Sequence, residues 1–591
     1  MRGFAADLSF GATLIASNRT RFRLWAPAAR RVSVAIEDRA PVSMHREAGG
    51  WFEAFVACGA GTRYRYRLDD GTLVPDPASR RQDGDVGGAS IVVDPSAYSW
   101  RNAGWQGRPW HETVLYELHV GLCGGFAGTA EKLPELAELG VTAVELMPIA
   151  EFPGSRNWGY DGVLPYAPES TYGSPDDLKA LIDRAHGLGL MVFLDVVYNH
   201  FGPEGNWIGR YAPEFFRSDM STPWGDAVDF RRPEVSRFFI ENAIYWLQEY
   251  RFDGLRFDAV HAIEPVGWLS EMAGEVRAHV EYGRHVHFVL ENDDNLASLL
   301  EDTFDAQWND DAHHVLHVLL TGQAEGYYAD YAEAPTEKLL RALREGFVFQ
   351  GEPSTFRGGR RRGESSARLS PTSFVLFLQN HDQIGNRAFG ERLTTLADPD
   401  ALRAAVALQL LSPHIPLVFM GEEEGSRRPF LYFTDYRDEL ADAVREGRRR
   451  EFAAFPPFAD PEKRESIPGP NDPATFEASN PFGAPAADDR QDWRALYRHL
   501  LSLRADVITR RLVGARALDG LVLGEGAVLV RWRLGDGALL VIVANLGAHL
   551  VPVPDEIRLP SRAPFYAGRA GLDPLKIVPA TSTFAWLEPA A

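Results

Sequence analysis

"SPDDLKALIDRAHGLG" (residues 174–189) and "LMVFLDVVYNH" (190–200) are adjacent, and together they join a helix pattern to a buried-strand pattern. Ser174 is a suitable N-cap, Pro175 fits the first helical position, and Asp177 lies in the first turn. Glycines end the helix pattern. The next segment is almost continuously apolar, which is typical of a strand buried on both faces. A helix that leads into such a strand predicts an α/β fold with parallel strands.

The same alternation of strands and helices runs from about residue 111 to residue 505. Eight short apolar segments carry polar or charged residues at or near their ends: TVLYELHV, VTAVELMP, LMVFLDVVYNH, FDGLRFD, VHFVLEN, FDAQWND, SFVLFLQNHD and IPLVFMGEE. Helix patterns such as PEVSRFFIENAIYWLQEY separate them. Repeated β-α units of this number and size predict a (β/α)8 TIM barrel over residues 111–505.

Strand patterns dominate on both sides of the predicted barrel. Residues 1–105 contain RFRLWAP, RVSVAIE and RYRYRL, in which apolar and polar residues alternate between turn residues. This pattern predicts an N-terminal β-sandwich. Residues 510–591 contain further strands separated by glycine turns, as in LVLGEGAVLVRWRLGDGALLVIVANLG. We expect a small C-terminal antiparallel β-domain there.

The composition is that of a globular protein with an excess of acidic residues. The chain has 591 residues, which is too long for one compact core, and 45% of them are hydrophobic. A net charge of −21 argues against nucleic acid and anionic membranes as partners, whereas a neutral ligand is compatible with it. Arginines cluster at 360–362 and 448–450, where we expect solvated loops rather than phosphate sites.

Cysteine usage and hydropathy predict a cytoplasmic protein. Cys58 and Cys123 are too few for a disulfide framework in so long a chain, which fits a reducing compartment. The chain contains no run of 18 apolar residues, so we expect no membrane span. The N-terminus is a poor signal peptide because Asp7 interrupts its apolar stretch. The sequence does not reveal an oligomeric state, and we favour a monomer.

Carboxylates and histidines recur where the predicted strands end. The active site of a TIM barrel lies at the C-terminal ends of its strands, so we expect these side chains to meet at one rim. In chain order the polar residues at the strand ends are Asp195, Asn199, His200, Arg256, Asp258, His261, Glu291, His381 and Asp382.

The segment "GLRFDAVHAI" (254–263) has two possible interpretations. Arg256 and Asp258 share one face of the strand, because alternate side chains point the same way. They could form a structural ion pair, with Asp258 capping the next helix. Alternatively, Asp258 is a catalytic carboxylate that its arginine keeps ionised. The accumulation of four carboxylates and three histidines at one rim favours the catalytic interpretation.

Paired carboxyl groups without an evident nucleophilic serine or cysteine indicate glycosyl transfer. That chemistry uses one carboxylate as the nucleophile and a second carboxyl group as general acid and then base. No H-E-x-x-H or G-x-S-x-G motif occurs. His313, His314 and His317 have helical spacing and could bind a metal, but no carboxylate or cysteine accompanies them, so we expect a partly exposed helix face. We expect no metal and no cofactor.

Four segments resemble, in order, the signature regions of the α-amylase family of glycoside hydrolases and transglycosylases. They are DVVYNH, GLRFDAVH, VLEND and LQNHDQIGNR. The N-terminal part looks like the glucan-associated β-sandwich of branching and debranching members. The resemblance implies that Asp258 is the nucleophile, that Glu291 is the general acid and base, and that Asp382 is the third catalytic carboxylate.

The same resemblance assigns substrate contacts. It implies that Arg256 orients Asp258 and that Tyr160 stacks under the sugar on the non-reducing side of the cut. His200 and His381 would hydrogen-bond that sugar, and Asp195 would brace the site. His261, Gln383 and Asn386 complete the substrate-binding residues that we expect. Loop residues would recognise the part of the substrate beyond the cleaved bond, and our candidates are Gln383, Asn386 and residues 422–424.

Longer segments indicate the member of the family. MPIAEFPGSRNWGYDGVLPYAP, TPWGDAVDF and RPFLYFTDY resemble members that hydrolyse the α-1,4 bond next to the terminal trehalose of maltooligosyltrehalose. We therefore expect maltooligosyltrehalose and related α-glucans as ligands. Glycogen-branching enzymes are the alternative, but this chain has Tyr198-Asn199 and Gln383 where they usually have proline and glutamate. A non-catalytic glucan-binding protein is a third possibility, and the retained carboxylates argue against it.

Calcium-dependent α-amylases usually carry a long insertion after the third strand. Here residues 201–232 alone separate that strand from the next helix. Asn199 matches one calcium-ligand position of the family, but the remaining ligand set is not visible.

Overall fold

The computed structural model describes residues 4–222, 225–453, 458, 460–483, 488–568 and 577–590. Within these ranges, eight parallel strands close into a central barrel. Numbered 1 to 8 in chain order, the barrel strands are Leu115–Leu118, Ala143–Leu146, Met191–Val196, Gly254–Phe257, His287–Leu290, Ala306–Trp308, Phe374–Leu376 and Ile415–Phe419. The predicted (β/α)8 barrel is confirmed.

Helices follow the barrel strands on the outside. In chain order they are Gly125–Leu139, Pro175–Gly187, Pro233–Gln248, Gly267–His279, Leu299–Asp302, Asp310–Thr321, Pro335–Glu345, Pro399–Leu411 and Arg490–Leu503. The structure also contains Ile208–Tyr211, Ala329–Ala332, His381–Gly385, Leu393–Leu396, Asp438–Phe452, Pro461–Glu465 and Pro473–Ala478. Ser174 caps Pro175–Gly187 in a reciprocal capping box with Asp177, as the sequence predicts.

Side chains on the barrel strands alternate between the barrel interior and the surrounding helices. On strand 3, Met191 and Phe193 belong to the apolar layer inside the barrel, whereas Val192 and Leu194 pack in the cluster shared with the helices. Gly254 on strand 4 faces Phe193, because a Cβ atom there would lie 2.1 Å from the Phe193 ring. This close approach requires glycine at residue 254.

On strands 1 to 4, the interior positions one layer closer to the C-terminal ends are polar. Two residues after the apolar layer, the chain places Glu117, Glu145, Asp195 and Arg256, all of which are buried. Burial of so many polar groups is costly unless they pair with each other. On strands 1 to 4 the barrel interior therefore has an apolar lower layer and a polar upper layer, and the polar layer leads into the site.

The N-terminal part is a two-sheet structure, as predicted. One sheet contains Gly11–Ala16, Arg19–Trp25, His45–Arg46 and Trp51–Val56, and the other contains Ser33–Ile36, Val42–Ser43, Arg63–Arg67, Leu73–Val74 and Ser90–Ile91. Phe22 and Tyr64 pack between them with ring centroids 4.7 Å apart. The Ser9 amide donates to Glu241 Oε2 (2.8 Å) on helix Pro233–Gln248, which joins this part to the barrel.

The C-terminal part is an antiparallel sheet that packs against barrel helices. Its strands are Arg516–Gly524, Ala527–Arg533, Leu539–Asn545, Tyr566–Ala567 and Ser582–Glu588, and Val551–Pro552 pairs separately with Ile577–Val578. Thr583 Oγ1 donates to the Ala404 carbonyl (2.8 Å), and Trp532 Nε1 donates to the Leu343 carbonyl (3.2 Å). The predicted C-terminal β-domain is therefore present.

Three strand pairs lie in the barrel loops. They are Ala150–Glu151 with Leu164–Pro168, Phe216–Thr222 with Gly225–Val228, and Glu352–Pro353 with Arg361–Arg362. Among the described residues, no helix is long and apolar enough to cross a membrane.

Candidate active site

A cavity of about 650 Å³ opens at the C-terminal ends of the barrel strands. Arg256 and His381 lie directly behind its wall and are buried. The structure therefore brings all ten predicted site residues together. Those that line the cavity are Tyr160, His200, Asp258, His261, Glu291, Asp382, Gln383 and Asn386.

Arg256 connects three carboxylates. Its Nη1 donates to both oxygens of Asp195 (2.9 and 2.8 Å) and to Asp258 Oδ1 (2.8 Å). Its Nη2 donates to Glu291 Oε2 (2.8 Å). The guanidinium lies 4.1 Å from the centroid of the Trp308 ring, which closes the barrel beneath it. One fully buried cation thus holds Asp258 and Glu291 side by side at the ends of strands 4 and 5.

The two carboxyl groups of this pair have different surroundings. Burial raises the pKa of Glu291 to about 7, the Arg256 charge opposes this rise, and Asp258 and Asp382 add to it. Burial also raises the pKa of Asp258, and the direct contact with Arg256 counteracts that rise. Glu291 Oε2 accepts a second hydrogen bond from the amide of Ala259 (2.8 Å), whose φ of 41° is left-handed. These contacts leave Oε1 as the Glu291 oxygen available to carry a proton.

His381 is held between two carboxylates. Its Nδ1 contacts Glu117 Oε1 at 2.5 Å, and its Nε2 lies 3.3 Å from Asp382 Oδ1. Burial alone would lower the pKa of His381, but Asp382 and Glu117 raise it well above its ordinary value. Burial acts to raise the pKa of Asp382, and the positive His381 outweighs it, with Asn386 also hydrogen-bonding the carboxylate. Asp382 is therefore held in its ionised form.

Tyr160 forms an aromatic platform on this side of the cavity. Its ring is stacked on His381, with centroids 5.1 Å apart and planes at 23°. Its hydroxyl donates to Asp195 Oδ2 (2.6 Å). The exposed face of a ring fixed in this way can stack against a sugar.

His200 braces the same side. Its Nε2 lies 2.9 Å from the Tyr160 carbonyl, and its Nδ1 lies 2.6 Å from Asn199 Oδ1. Asn199 Nδ2 in turn donates to Asp258 Oδ2 (3.2 Å). Both oxygens of Asp258 are therefore oriented, one by Arg256 and the other by Asn199.

His261 and Gln383 lie on the opposite side. His261 Nδ1 accepts from the Asp293 amide (3.3 Å), and Gln383 Nε2 donates to Asp310 Oδ1 (3.3 Å). Asp293 is also paired with Arg357 and Arg362. This charged network forms a wall that reaches from strand 5 to the loop at residues 354–362.

Glu117, Glu145 and Asp310 are among the carboxyl groups at the site that were not predicted. Glu117 and Glu145 lie inside apolar strand segments, in ELHV and in VELMP, and a glutamate within such a run is a signal that could have indicated an inward-facing position. Asp310 lies two residues after strand 6, in WNDD, at the rim that carries the predicted carboxylates. These segments lie far apart in the sequence, so residue order does not show that they are close together in the folded structure.

Three interpretations of the sequence need correction. Residues 422–424 lie outside the residues that line the cavity, since their carboxylates contact Tyr497, Tyr116 and Arg490 instead. The expected partly exposed histidine face is wrong for His313 and His317, which are buried, whereas His314 is half-buried and lines the cavity. The arginine clusters are not wholly solvated either: Arg362 and Arg448 are buried and line the cavity.

Among the described residues, no group of three or more histidine, cysteine, aspartate or glutamate side chains has an arrangement that could hold a metal ion. The expectation of a metal-free enzyme stays a prediction.

Three known families match successive parts of the chain. "Carbohydrate-binding module 48 (Isoamylase N-terminal domain)" matches residues 9–97, "Alpha amylase, catalytic domain" matches residues 80–220, and a domain of unknown function matches residues 515–585. A crystal structure from Salmonella typhimurium, described as an alpha amylase, superposes with a TM-score of 0.91 at 43% identity and covers 98% of this chain and 100% of that chain.

The relatives that match most of the chain share one name. The chain is 40% identical to the malto-oligosyltrehalose trehalohydrolase of Deinococcus radiodurans, over 92% of this chain and 90% of the relative. It is 43% identical to the malto-oligosyltrehalose trehalohydrolase of Saccharolobus solfataricus, over 73% of this chain and 78% of the relative. The 1,4-alpha-glucan branching enzyme of Burkholderia thailandensis is 37% identical over only 41% of this chain and 33% of that enzyme.

Proposed function

Since the chain belongs to the malto-oligosyltrehalose trehalohydrolases of the α-amylase family, we propose that it cleaves the α-1,4-glucosidic bond next to the terminal trehalose unit of maltooligosyltrehalose. The products are trehalose and a maltooligosaccharide. The observation that carries this assignment is the Asp258–Arg256–Glu291 arrangement in a cavity of about 650 Å³, in a chain that is similar to trehalohydrolases along most of its length.

Asp258 is the nucleophile. It attacks the anomeric carbon on the non-reducing side of the bond and forms a covalent glycosyl-enzyme as the bond to the leaving oxygen breaks. Arg256 at 2.8 Å favours the ionised carboxylate that this step needs. Asn199 restricts the carboxylate rotation through its bond to Oδ2.

Glu291 is the general acid and base. Its proton, carried on Oε1, passes to the glycosidic oxygen as trehalose leaves. A water molecule then attacks the glycosyl-enzyme, its proton returns to Glu291, and Asp258 is released as a carboxylate. A pKa raised to about 7 suits a group that must donate and then accept a proton near neutral pH.

Tyr160 and Asp382 bind the sugar that receives the nucleophile, and His200 and His381, whose ring nitrogens contact protein groups, hold them in place. Tyr160 stacks against the ring, and the ionised Asp382 hydrogen-bonds hydroxyl groups more strongly as positive charge develops. His261 and Gln383 contribute to the opposite side of the cavity, and Asn386 hydrogen-bonds Asp382. The N-terminal β-sandwich, which matches a carbohydrate-binding module, supports α-glucan binding.

The location and assembly state are part of the same proposal. Both cysteines, Cys58 and Cys123, are free and buried, which fits a protein that folds in the reducing cytoplasm. We propose a cytoplasmic monomer. Size-exclusion chromatography with light scattering tests the assembly state.

A substrate comparison tests the function. The purified protein is incubated separately with maltotriosyltrehalose, with maltopentaose and with amylose, and the products are separated by chromatography. We expect trehalose release from the first substrate to exceed cleavage of the other two by at least about 100-fold in kcat/KM. New α-1,6 linkages in the amylose reaction, detected by NMR, would instead indicate a branching enzyme.

A further inference from the structure

Asp310 is a further carboxyl group that lines the catalytic cavity, and the mechanism proposed for Asp258 and Glu291 gives it no role. It follows strand 6, begins helix Asp310–Thr321 and lines the same cavity as Glu291 and Asp382. A common reason for an aspartate at this position is helix capping. Here the cap is Asn309, whose side chain accepts from the Ala312 amide (3.2 Å). The helix therefore does not need the Asp310 carboxyl group.

Asp311, the next residue, is a carboxylate with a structural role, and its contacts differ from those of Asp310. It is fully buried, pairs with Arg362 (2.9 Å) and accepts from the amides of Val348 (2.7 Å) and Phe349 (3.0 Å). Asp310 forms no ion pair within the described residues, and its Oδ1 accepts from Gln383 Nε2 at 3.3 Å. Its second oxygen is therefore available to a ligand in the cavity.

The charges around Asp310 favour its neutral form. Burial raises the pKa of Asp310 well above its ordinary value, the carboxylates of Glu291, Asp293 and Asp382 raise it further, and Arg362 opposes them. A protonated carboxyl group can donate a hydrogen bond, whereas an ionised one can only accept. Sugar hydroxyl groups accept such a bond readily.

The position of Asp310 around the barrel gives the side of the substrate that it faces. Tyr160 and His200 follow strands 2 and 3, Asp258 follows strand 4, Glu291 follows strand 5 and Asp310 follows strand 6. Glu291 protonates the oxygen of the leaving group. A residue beyond Glu291, on the side away from Tyr160, therefore faces the sugar that leaves.

We propose that Asp310 is a binding residue for the leaving trehalose, to which it donates a hydrogen bond through Oδ2 while Oδ1 is held by Gln383. This inference rests on the proposed function, because it concerns the product released from the same cavity. It assigns Asp310 to the leaving group and not to the glycosyl group that Asp258 attacks.

Two substitutions separate the donor role from the bulk of the side chain. Asp310→Asn keeps a donor of similar shape, and Asp310→Ala removes it. Asp176→Asn is the matched control, because Asp176 is an exposed aspartate in the first turn of helix Pro175–Gly187. Each protein is assayed for kcat/KM with maltotriosyltrehalose, for inhibition by trehalose, and for hydrolysis of α-maltotriosyl fluoride, whose leaving group is not a sugar.

For Asp310→Ala we expect kcat/KM with maltotriosyltrehalose to fall about tenfold or more and the trehalose inhibition constant to rise about tenfold. Hydrolysis of the fluoride should stay within about twofold, since no leaving sugar is bound. Asp310→Asn should stay within about threefold in all three assays, and Asp176→Asn should match the wild type.

Three results would overturn the inference. Unchanged trehalose inhibition in Asp310→Ala would show that the carboxyl group does not bind the leaving sugar. A parallel loss with the fluoride would place Asp310 among the supports of Asp258 and Glu291. A loss in Asp310→Asn as large as that in Asp310→Ala would exclude the neutral donor. If the wild type itself shows no preference for maltotriosyltrehalose over maltopentaose, the proposed function fails instead.

Discussion

Arg256 sets the electrostatics of the cavity by contacting Asp195, Asp258 and Glu291 at the same time. A buried cation that faces three carboxylates leaves excess negative charge, so one partner is expected to hold a proton. Glu291, with a pKa raised to about 7, is the group that fits this requirement. The division between nucleophile and acid therefore follows from the surroundings of two chemically similar side chains.

Removal of either reacting carboxyl group should abolish turnover. Asp258→Asn and Glu291→Gln each keep the shape of the side chain, and we expect kcat with maltotriosyltrehalose to fall at least about 1,000-fold. Circular dichroism should show an intact fold. The control Glu138→Gln changes an exposed glutamate (side chain 72% exposed) on helix Gly125–Leu139 and should leave kcat unchanged. Retention of a tenth of the wild-type kcat by either variant would refute the role assigned to that residue.

The activity should decline on the alkaline side of neutral pH. Glu291 must be protonated to act as an acid, so the active fraction falls as pH rises through its pKa of about 7. The pH profile of kcat/KM with maltotriosyltrehalose measures this limb. Hydrolysis of α-maltotriosyl fluoride needs no proton on its leaving group, so the rate of its glycosylation step should not decline on the alkaline side. A trehalose-releasing activity that is constant up to pH 9 would contradict the assignment.

Two neighbouring strands place the reacting groups at a fixed separation. Strands 4 and 5 are hydrogen-bonded in parallel register, with Phe257 opposite Leu290, and Asp258 and Glu291 are the next residues on each strand. Adjacent strands lie about 4.8 Å apart. Such a separation leaves no room for a water molecule between the carboxylate and the anomeric carbon.

We therefore expect retention of anomeric configuration. Retaining glycosidases hold their carboxyl groups about 5–5.5 Å apart, and inverting enzymes hold them about 6.5–9.5 Å apart. The newly exposed reducing end of the maltooligosaccharide should appear first as the α-anomer in NMR spectra of the early reaction. Initial β-anomer would indicate inversion and exclude Asp258 as a covalent nucleophile.

Strand 2 carries a buried acid that should make stability depend on pH. Glu145 is fully buried, and its two carboxyl oxygens have no hydrogen-bond partner among the described residues. Burial, then Glu117 and Asp195, raise its pKa well above 4.5, while Arg256 and His381 oppose the rise. The folded state therefore binds this proton more tightly than the unfolded state, and stability is lost as pH rises from about 4.5 through the folded pKa.

Glu145→Gln should remove this loss. Because glutamine does not ionise, the Tm of the variant relative to the wild type should be about 2 °C higher at pH 9 than at pH 5. Differential scanning calorimetry at the two pH values measures the change, with Glu138→Gln as an exposed control. An equal Tm difference at both pH values would mean that Glu145 does not carry a proton specific to the folded state.

On the scale of the whole molecule, β-structures enclose the barrel from two directions. The N-terminal part bonds to helix Pro233–Gln248, and the C-terminal sheet bonds to helices Pro335–Glu345 and Pro399–Leu411. None of these contacts involves a residue that lines the catalytic cavity. The barrel supplies the reacting groups, and the flanking parts support it.

Chelation should not inactivate the enzyme. The described residues contain no cluster of ligands suited to a metal ion, and Asn199 is engaged with His200 and Asp258. Dialysis against EDTA should leave kcat/KM within about 20% of the untreated value, because Arg256 and His381 supply the positive charge that faces the carboxylates. A large loss that added calcium restores would contradict this prediction.

The sequence predicted the barrel and the main site residues because both depend on local signals. Most barrel strands are short apolar runs followed by polar residues, and Asp258, Glu291 and Asp382 lie in those polar segments. The roles of Glu117, Glu145 and Asp310 were not predicted. The burial of His313, Arg362 and Arg448 was not predicted either, because the burial of a helix face or a loop depends on which distant segment covers it.

By itself, the sequence determined the fold class, the order of the three parts, the type of chemistry and the family resemblance. These follow from periodicity, from capping residues and from motifs that are each contiguous in the chain. The tertiary structure alone decided that one guanidinium contacts Asp195, Asp258 and Glu291, that His381 lies between Glu117 and Asp382, and that Asp310 faces the cavity. These facts depend on distances between segments far apart in the chain, and electrostatic interactions at a few ångströms cannot be read from residue order.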